Sequence, residues 1–325
     1  MRESLKIKVD NMLELYLDIE KQFKWEHSLL KHFAALTYIQ KDRKFDKEKI
    51  QNMIKFIKSK TGIFSYYRGT SSFIIAMLLC SEYENPEDEF SRMMDNEDKL
   101  KKAGFKNSMY LPIANYALLI TSEGDFVDSK VKQAYELYCE MKKNHPWLTS
   151  GDDYALSILL SKYNKSVSTI EEYYQSLNNL GFGKGNGLQL LSHILSFSNE
   201  DVKVITERCK KGYDRLKENK LKIYSDFYAS LGLVSLLDKE GTIAEDLVEV
   251  ALYLNKLKKY KWLGKGMNVL IASALVSQEY INDNKNNNEL IQTTLSISIE
   301  AIIAAQTSAT IAAITASTAA ASAAN

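Results

Sequence analysis

Two carboxylates stand side by side in PWLTSGDDYALSILL (residues 146–160): Asp152 and Asp153, behind a glycine and ahead of an apolar run. Such a pair has two readings. Acids held on either side of a substrate can divide general-acid and general-base work, as in glycoside hydrolysis. Small polar residues ahead of an apolar run also cap helices, because their side chains bond the free N–H groups of the first turn. On the capping reading Thr149, Ser150 or Asp152 is the cap. Asp153 then sits in the first turn, where the helix dipole favours negative charge.

The same kind of stretch recurs along the chain as YRGTSS, KNSM, GKGNG, IYSD and GKGMN. If the apolar helices that follow run in one direction, their leading ends gather His27, Tyr66, Arg68, Asn115, Asp153, Asn186, Asp226 and Asn268. Helix N-termini favour anions. Asp153 and Asp226 are the candidate catalytic acid and base. His27, Tyr66, Arg68, Asn115, Asp152, Asn186 and Asn268 are the candidate ligand-binding residues.

Other motifs offer less. GFGKGNG (181–187) is not a P-loop: Lys184 is followed by Gly185 and no buried strand precedes it. It reads as a helix stop and turn, with WLGKGMN (262–268) as its counterpart. His27 and His32 are five apart and miss the i, i+4 spacing of a metal pair; His193 reads as a core histidine. Cys80, Cys139 and Cys209 form no CxxC and read as thiols of a reducing compartment. No metal site is expected, and no motif names a cofactor.

The elements that must position these residues follow a beat of about forty residues, the length of a helical hairpin. Its landmarks are Trp25, Phe64, Phe105, Trp147, Phe182, Leu221 and Trp262. Each unit pairs two unlike helices. The first is amphipathic: KIQNMIKFIKSK carries Ile50, Met53, Ile54 and Ile57 on one stripe, with Lys crowding its C-terminal end. The second is apolar nearly all round, as in FIIAMLLC and MNVLIASALV. Ala, Leu and Met dominate these runs and hairpin-turn dipeptides are missing, so they read as helix rather than strand. The expected fold is all-α: about seven helical hairpins in an α/α toroid-like or superhelical repeat over residues 1–281. A polar linker and an uncharged, Ala-rich C-terminal helix follow over 282–325.

With 325 residues and 45% hydrophobic content the chain can bury a large core, and a net charge of +1 gives no bulk case for a nucleic-acid partner. The N-terminus carries charges throughout and lacks a signal-peptide core, so a cytoplasmic location is expected. The tail AIIAAQTSATIAAITASTAAASAAN has no charge. Its four Ile contribute at most about −2.4 kcal/mol to insertion, and nine Ser, Thr, Gln and Asn oppose them. It reads as a helix that docks on the last hairpin or on a second subunit, not as a membrane span.

The stretches PWLTSGDDYALSILL, WLGKGMNVLIASALV and AAQTSATIAAITASTAAASAA together resemble the bacterial domain-of-unknown-function family 4003, found chiefly in Firmicutes. The resemblance covers essentially the whole chain. It implies a soluble bacterial protein and supplies no activity and no site residues. From the residues, the expected function is a binding or scaffold module. It would use the helix-end rim or a concave face to hold a protein, peptide or small molecule. The alternative is an α/α-toroid enzyme acting on a polar, sugar-like substrate.

Overall fold

The computed structural model describes residues 1–122, 127–162, 165–238 and 241–283, and among them every regular element is helical. Amphipathic helices alternate with buried ones. The amphipathic set is α1 (Glu3–Gln22), α3 (Lys47–Lys60), α5 (Pro86–Ala103), α7 (Val127–Asn144), α9 (Val167–Asn179), α11 (Val202–Glu218) and α13 (Ile243–Lys256). The buried set is α2 (Ser28–Lys41), α4 (Thr70–Glu82), α6 (Leu111–Thr121), α8 (Tyr154–Lys162), α10 (Asn186–Leu195), α12 (Ala229–Ser235) and α15 (Gly264–Asp283). A single turn, α14 (Lys258–Lys261), precedes α15. The all-α expectation is met.

The amphipathic helices form for local reasons. Asp46 caps α3, its carboxylate accepting the Lys49 N–H at 3.0 Å. Ile50, Met53 and Ile57 then bury a stripe at three- and four-residue spacing, each contributing about 1.5–3 kcal/mol of transfer energy. Lys58 and Lys60 end the helix at the negative pole of its dipole. α5 follows the same plan, with Pro86 at its start, Glu87, Asp88 and Glu89 in its first turn, and Lys101 and Lys102 in its last.

The second set has no solvated face. Every residue from Ser72 to Ser81 of α4 is buried, as is every residue from Tyr154 to Ser161 of α8. Hydroxyls inside these helices are satisfied by their own backbone: Ser81 donates to the Leu78 carbonyl at 2.9 Å, Ser157 to Tyr154 at 2.8 Å and Ser273 to Leu270 at 2.8 Å. Local satisfaction lets a Ser sit in an apolar helix without a partner from elsewhere.

The chain divides into two compact units. Of the described residues, one takes 14–139 and 150–162, the other 1–13, 140–149 and 165–283. In the first unit α4 packs against α2 and α6, and α6 against α8. In the second, α12 packs against both α10 and α15, while α11 packs against α9 and α13. The second unit also docks its N-terminal segment on α13 and α15. Arg2 pairs with Asp246 at 2.9 Å and with Asp283 at 2.7 Å, Lys8 pairs with Glu279, and Tyr253 donates to Asp10 at 2.6 Å.

The seven landmarks of the forty-residue beat are two structural classes. Phe105, Phe182 and Leu221 are buried, whereas Trp25, Phe64, Trp147 and Trp262 are 100, 91, 96 and 85% exposed. The difference lies in the preceding residue. Gly104, Gly181 and Lys220 take positive φ (120°, 94° and 61°) and close a helix stop that turns the next side chain inward. The Phe182 and Leu221 N–H groups return to the Leu177 and Leu216 carbonyls at 3.1 and 2.9 Å. The other four landmarks follow no such stop. At the far end α15 continues to Asp283. The helix expected in the Ala-rich tail lies outside the described residues. Among the described residues, no helix is long and apolar enough to cross a membrane.

Candidate functional site

In the unit of 14–139 and 150–162, the Asp152–Asp153 pair closes the start of α8. Residues Gly151–Asp153 form a short 3-10 turn behind Ser150, with the reciprocal pattern of a capping box. The Ser150 N–H donates to Asp153 Oδ2 at 3.0 Å, and the Ser150 hydroxyl donates to Asp152 Oδ1. Of the three caps read from the sequence, Ser150 is the one observed. Asp153 is 8% exposed. Burial, and then the neighbouring Asp152 charge, push its carboxyl up to about 8, while the Ser150 amide pulls the other way. The next residue opens α8 in an aromatic cluster: the Tyr154 ring lies 4.9 Å from both Phe105 and Tyr138, and Tyr154 Oη accepts the Lys106 N–H at 3.2 Å.

The other candidates of this unit separate into structural and exposed groups. Arg68 closes the end of α3, its guanidinium donating to the Lys58 and Thr61 carbonyls at 2.5 and 2.7 Å. Asn115 is fully buried on α6, donating to Tyr67 Oη at 2.7 Å and to the Met93 carbonyl at 2.5 Å. His27 is exposed and caps α2, Nδ1 accepting the Leu29 N–H at 3.2 Å. Tyr66 is exposed on the connection between α3 and α4.

In the unit of 1–13, 140–149 and 165–283, Asp226 is exposed in the middle of a 3-10 turn, Ser225–Phe227, ahead of α12. Asn186 is exposed at the first position of α10. Asn268 is buried in α15 and repeats the role of Asn115: its Nδ2 donates to the Tyr260 carbonyl at 3.0 Å and to Asn255 Oδ1 at 3.1 Å. His193 is buried in α10, where desolvation holds it neutral, down to about 3. The candidate catalytic carboxylates Asp153 and Asp226 thus belong to different units.

GFGKGNG and WLGKGMN are close-approach motifs. A Cβ on Gly187 would stand 2.1 Å from the Ser225 carbonyl oxygen, and one on Gly266 would stand 2.3 Å from the Phe227 ring. The turn at Ser225–Phe227 therefore rests on the start of α10 and the start of α15. Lys265 Nζ adds a bond to the Lys220 carbonyl at 2.8 Å.

Residues 15–308 match the family described as "Protein of unknown function (DUF4003)". The chain belongs to the DUF4003 family. Among curated proteins it is similar to the "Uncharacterized protein YeaA" of Bacillus subtilis (strain 168), with 28% identity over 311 residues that cover 93% of this chain and 92% of the relative. No solved structure matches.

Sequence reasoning passed over one feature of this DUF4003 chain. Its three tryptophans are the landmarks of three units, and all three are exposed on connections that run from an amphipathic helix to a buried one. Ile63, Phe64, Tyr66, Met109 and Tyr224 are exposed on connections of the same type. The signal was available in KLKKYKWLGKG (256–266), where Trp262 sits among five Lys and no acid.

Proposed function

We propose that this DUF4003 protein is a binding module whose contact surface is carried by the connections leading into the buried helices. The exposure of Trp25, Trp147 and Trp262 carries this reading. Tryptophan is the largest apolar side chain, and leaving one in water forgoes several kcal/mol of burial (about 25 cal/mol per Å2). Three on connections of one type form a pattern that marks interaction surfaces. The buried Asn115 and Asn268 and the half-buried Arg68 position these connections and leave the exposed residues to meet a partner. Within each unit, packing of the buried helices on one another would hold that unit's connections in place.

The test is tryptophan emission of the full chain titrated with anionic vesicles, single-stranded oligonucleotides and polyglutamate. The reading expects a blue shift and protection from iodide quenching with at least one macromolecular class. Emission that stays at the position of free tryptophan with all of them would remove it.

A second reading, an enzyme that uses the buried Asp153 carboxyl as a general acid, draws on its raised carboxyl beside Asp152. It expects hydrolysis of chromogenic glycosides by the full chain and its loss in Asp153→Asn. Activity that survives that substitution would exclude it.

A further inference from the structure

In the unit of 1–13, 140–149 and 165–283, three of the connections leading into buried helices touch one another. The turn at Ser225–Phe227 lies against Gly187 and Gly266, and Lys265 bonds the Lys220 carbonyl, so residues 180–187, 219–228 and 257–266 make one continuous face. Trp262 and Tyr224 stand exposed on it, 85 and 69%.

The charge on that face is one-sided. Residues 256–266 hold Lys256, Lys258, Lys259, Lys261 and Lys265 and no acid. Lys184, Lys220 and Lys222 add to them, all exposed, with the Lys222 ammonium 5.6 Å from the Tyr224 ring centroid. Two acids oppose them: Glu218, paired with Arg215 at 3.5 Å, and the exposed Asp226. The chain as a whole is nearly neutral at +1, so this is local segregation and not a generally basic protein. Two grooves of the unit lie elsewhere. One of about 850 Å3, between α9 and α11, is lined by Glu171, Glu172, Asp201 and Glu207 among others. Another, of about 500 Å3, lies between α11 and α13. Neither includes Trp262 or Tyr224.

We propose that this face docks peripherally on anionic lipid bilayers, Trp262 and Tyr224 entering the headgroup layer and the lysines meeting lipid phosphates. The inference rests on the binding-module reading and names its partner. Trp and Tyr favour the membrane–water interface, and basic residues beside them read anionic headgroups. A bilayer takes an outstanding tryptophan without a matching pocket. Single-stranded nucleic acid is held instead in a basic groove with aromatic walls, whereas the two grooves between α9, α11 and α13 are lined by other residues.

The experiment is sedimentation of the full chain with vesicles of phosphatidylcholine alone or mixed with phosphatidylglycerol. Binding is expected to the mixed vesicles and to fall steeply with salt. Each basic residue near an anionic surface is worth roughly fivefold. Lys258→Gln with Lys261→Gln should therefore weaken partition about thirtyfold, and Trp262→Ala should weaken it as well. Lys203→Gln with Lys211→Gln, an equal charge change on α11, should leave it within about twofold. All of these side chains are exposed, so the variants should keep the melting temperature of the parent. No binding to mixed vesicles at low salt, or an equal loss in the α11 pair, overturns the proposal. A variant with Trp262 as sole tryptophan (Trp25→Phe, Trp147→Phe) separates the two readings. Emission shifted by oligonucleotide or polyglutamate but not by vesicles overturns the lipid assignment and leaves a binding module. Emission moved by none of the three overturns the lipid assignment, and unmoved emission of the parent chain as well overturns both.

Discussion

The Ser150 amide donates to the Asp153 carboxylate at 3.0 Å, so one member of the acidic pair is part of a helix cap. That carboxyl is buried, and burial decides the proton. The folded-state carboxyl titrates at about 8, well above its model-peptide range. The neutral form is therefore favoured in the fold. Stability from this group is fully present below pH about 4 and is lost as pH rises towards about 8. Asp153→Asn keeps an oxygen to accept the Ser150 amide and cannot ionise. Its melting temperature should match the parent near pH 4 and exceed it at pH 9, by the equivalent of at least about 1 kcal/mol. Parallel melting curves across that range would show that Asp153 does not titrate as its burial requires.

Asn115 and Asn186 test whether the candidate rim is scaffold or surface. Asn115 is buried and bonds Tyr67 Oη at 2.7 Å, while Asn186 is exposed. Asn115→Ala deprives the buried Tyr67 hydroxyl of that partner and should cost about 1–3 kcal/mol in urea unfolding. Asn115→Asp should cost more, because it turns a buried carboxylate towards the Met93 carbonyl. Asn186→Ala should stay within about 0.5 kcal/mol. Equal unfolding midpoints for Asn115→Ala and Asn186→Ala would contradict the division drawn between them.

Much of this was legible along the chain because its causes are local. The stripe of Ile50, Met53 and Ile57 is a helical period, and the pole of Lys58 and Lys60 marks where α3 stops. The runs in α4 and α8 name helices without a wet side, since apolar residues dominate them all round and the few Ser can bond their own backbone. Residue type narrowed the cap to Thr149, Ser150 or Asp152, and the structure uses Ser150. The fate of each Asn does not. Asn115, Asn186 and Asn268 all stand near the start of an apolar run, and only packing makes two of them buried donors. The split between Phe105 and Trp147 was half visible: Gly104 and Gly181 announce a helix stop, but Lys220 adopts positive φ with nothing in its side chain to show it. Least visible were contacts such as Arg2 with Asp246, which join residues 244 positions apart.

Those contacts give the last prediction. Glu279 of α15 is 6% exposed and pairs with Lys8 of α1. Burial works against its charge, yet the bond from Lys8 and the nearby Arg2 hold its carboxyl below the ordinary value. A depressed carboxyl adds stability that is present above the unfolded value and lost as pH falls through the folded one. Lys8→Met leaves that carboxylate buried without its main partner and should cost about 1–3 kcal/mol at pH 7. The deficit should shrink below pH about 4, where protonation removes the stranded charge in the variant and the ion pair in the parent. A deficit of constant size from pH 7 to pH 3 would assign the loss to the packing of the Lys8 methylenes and not to its charge.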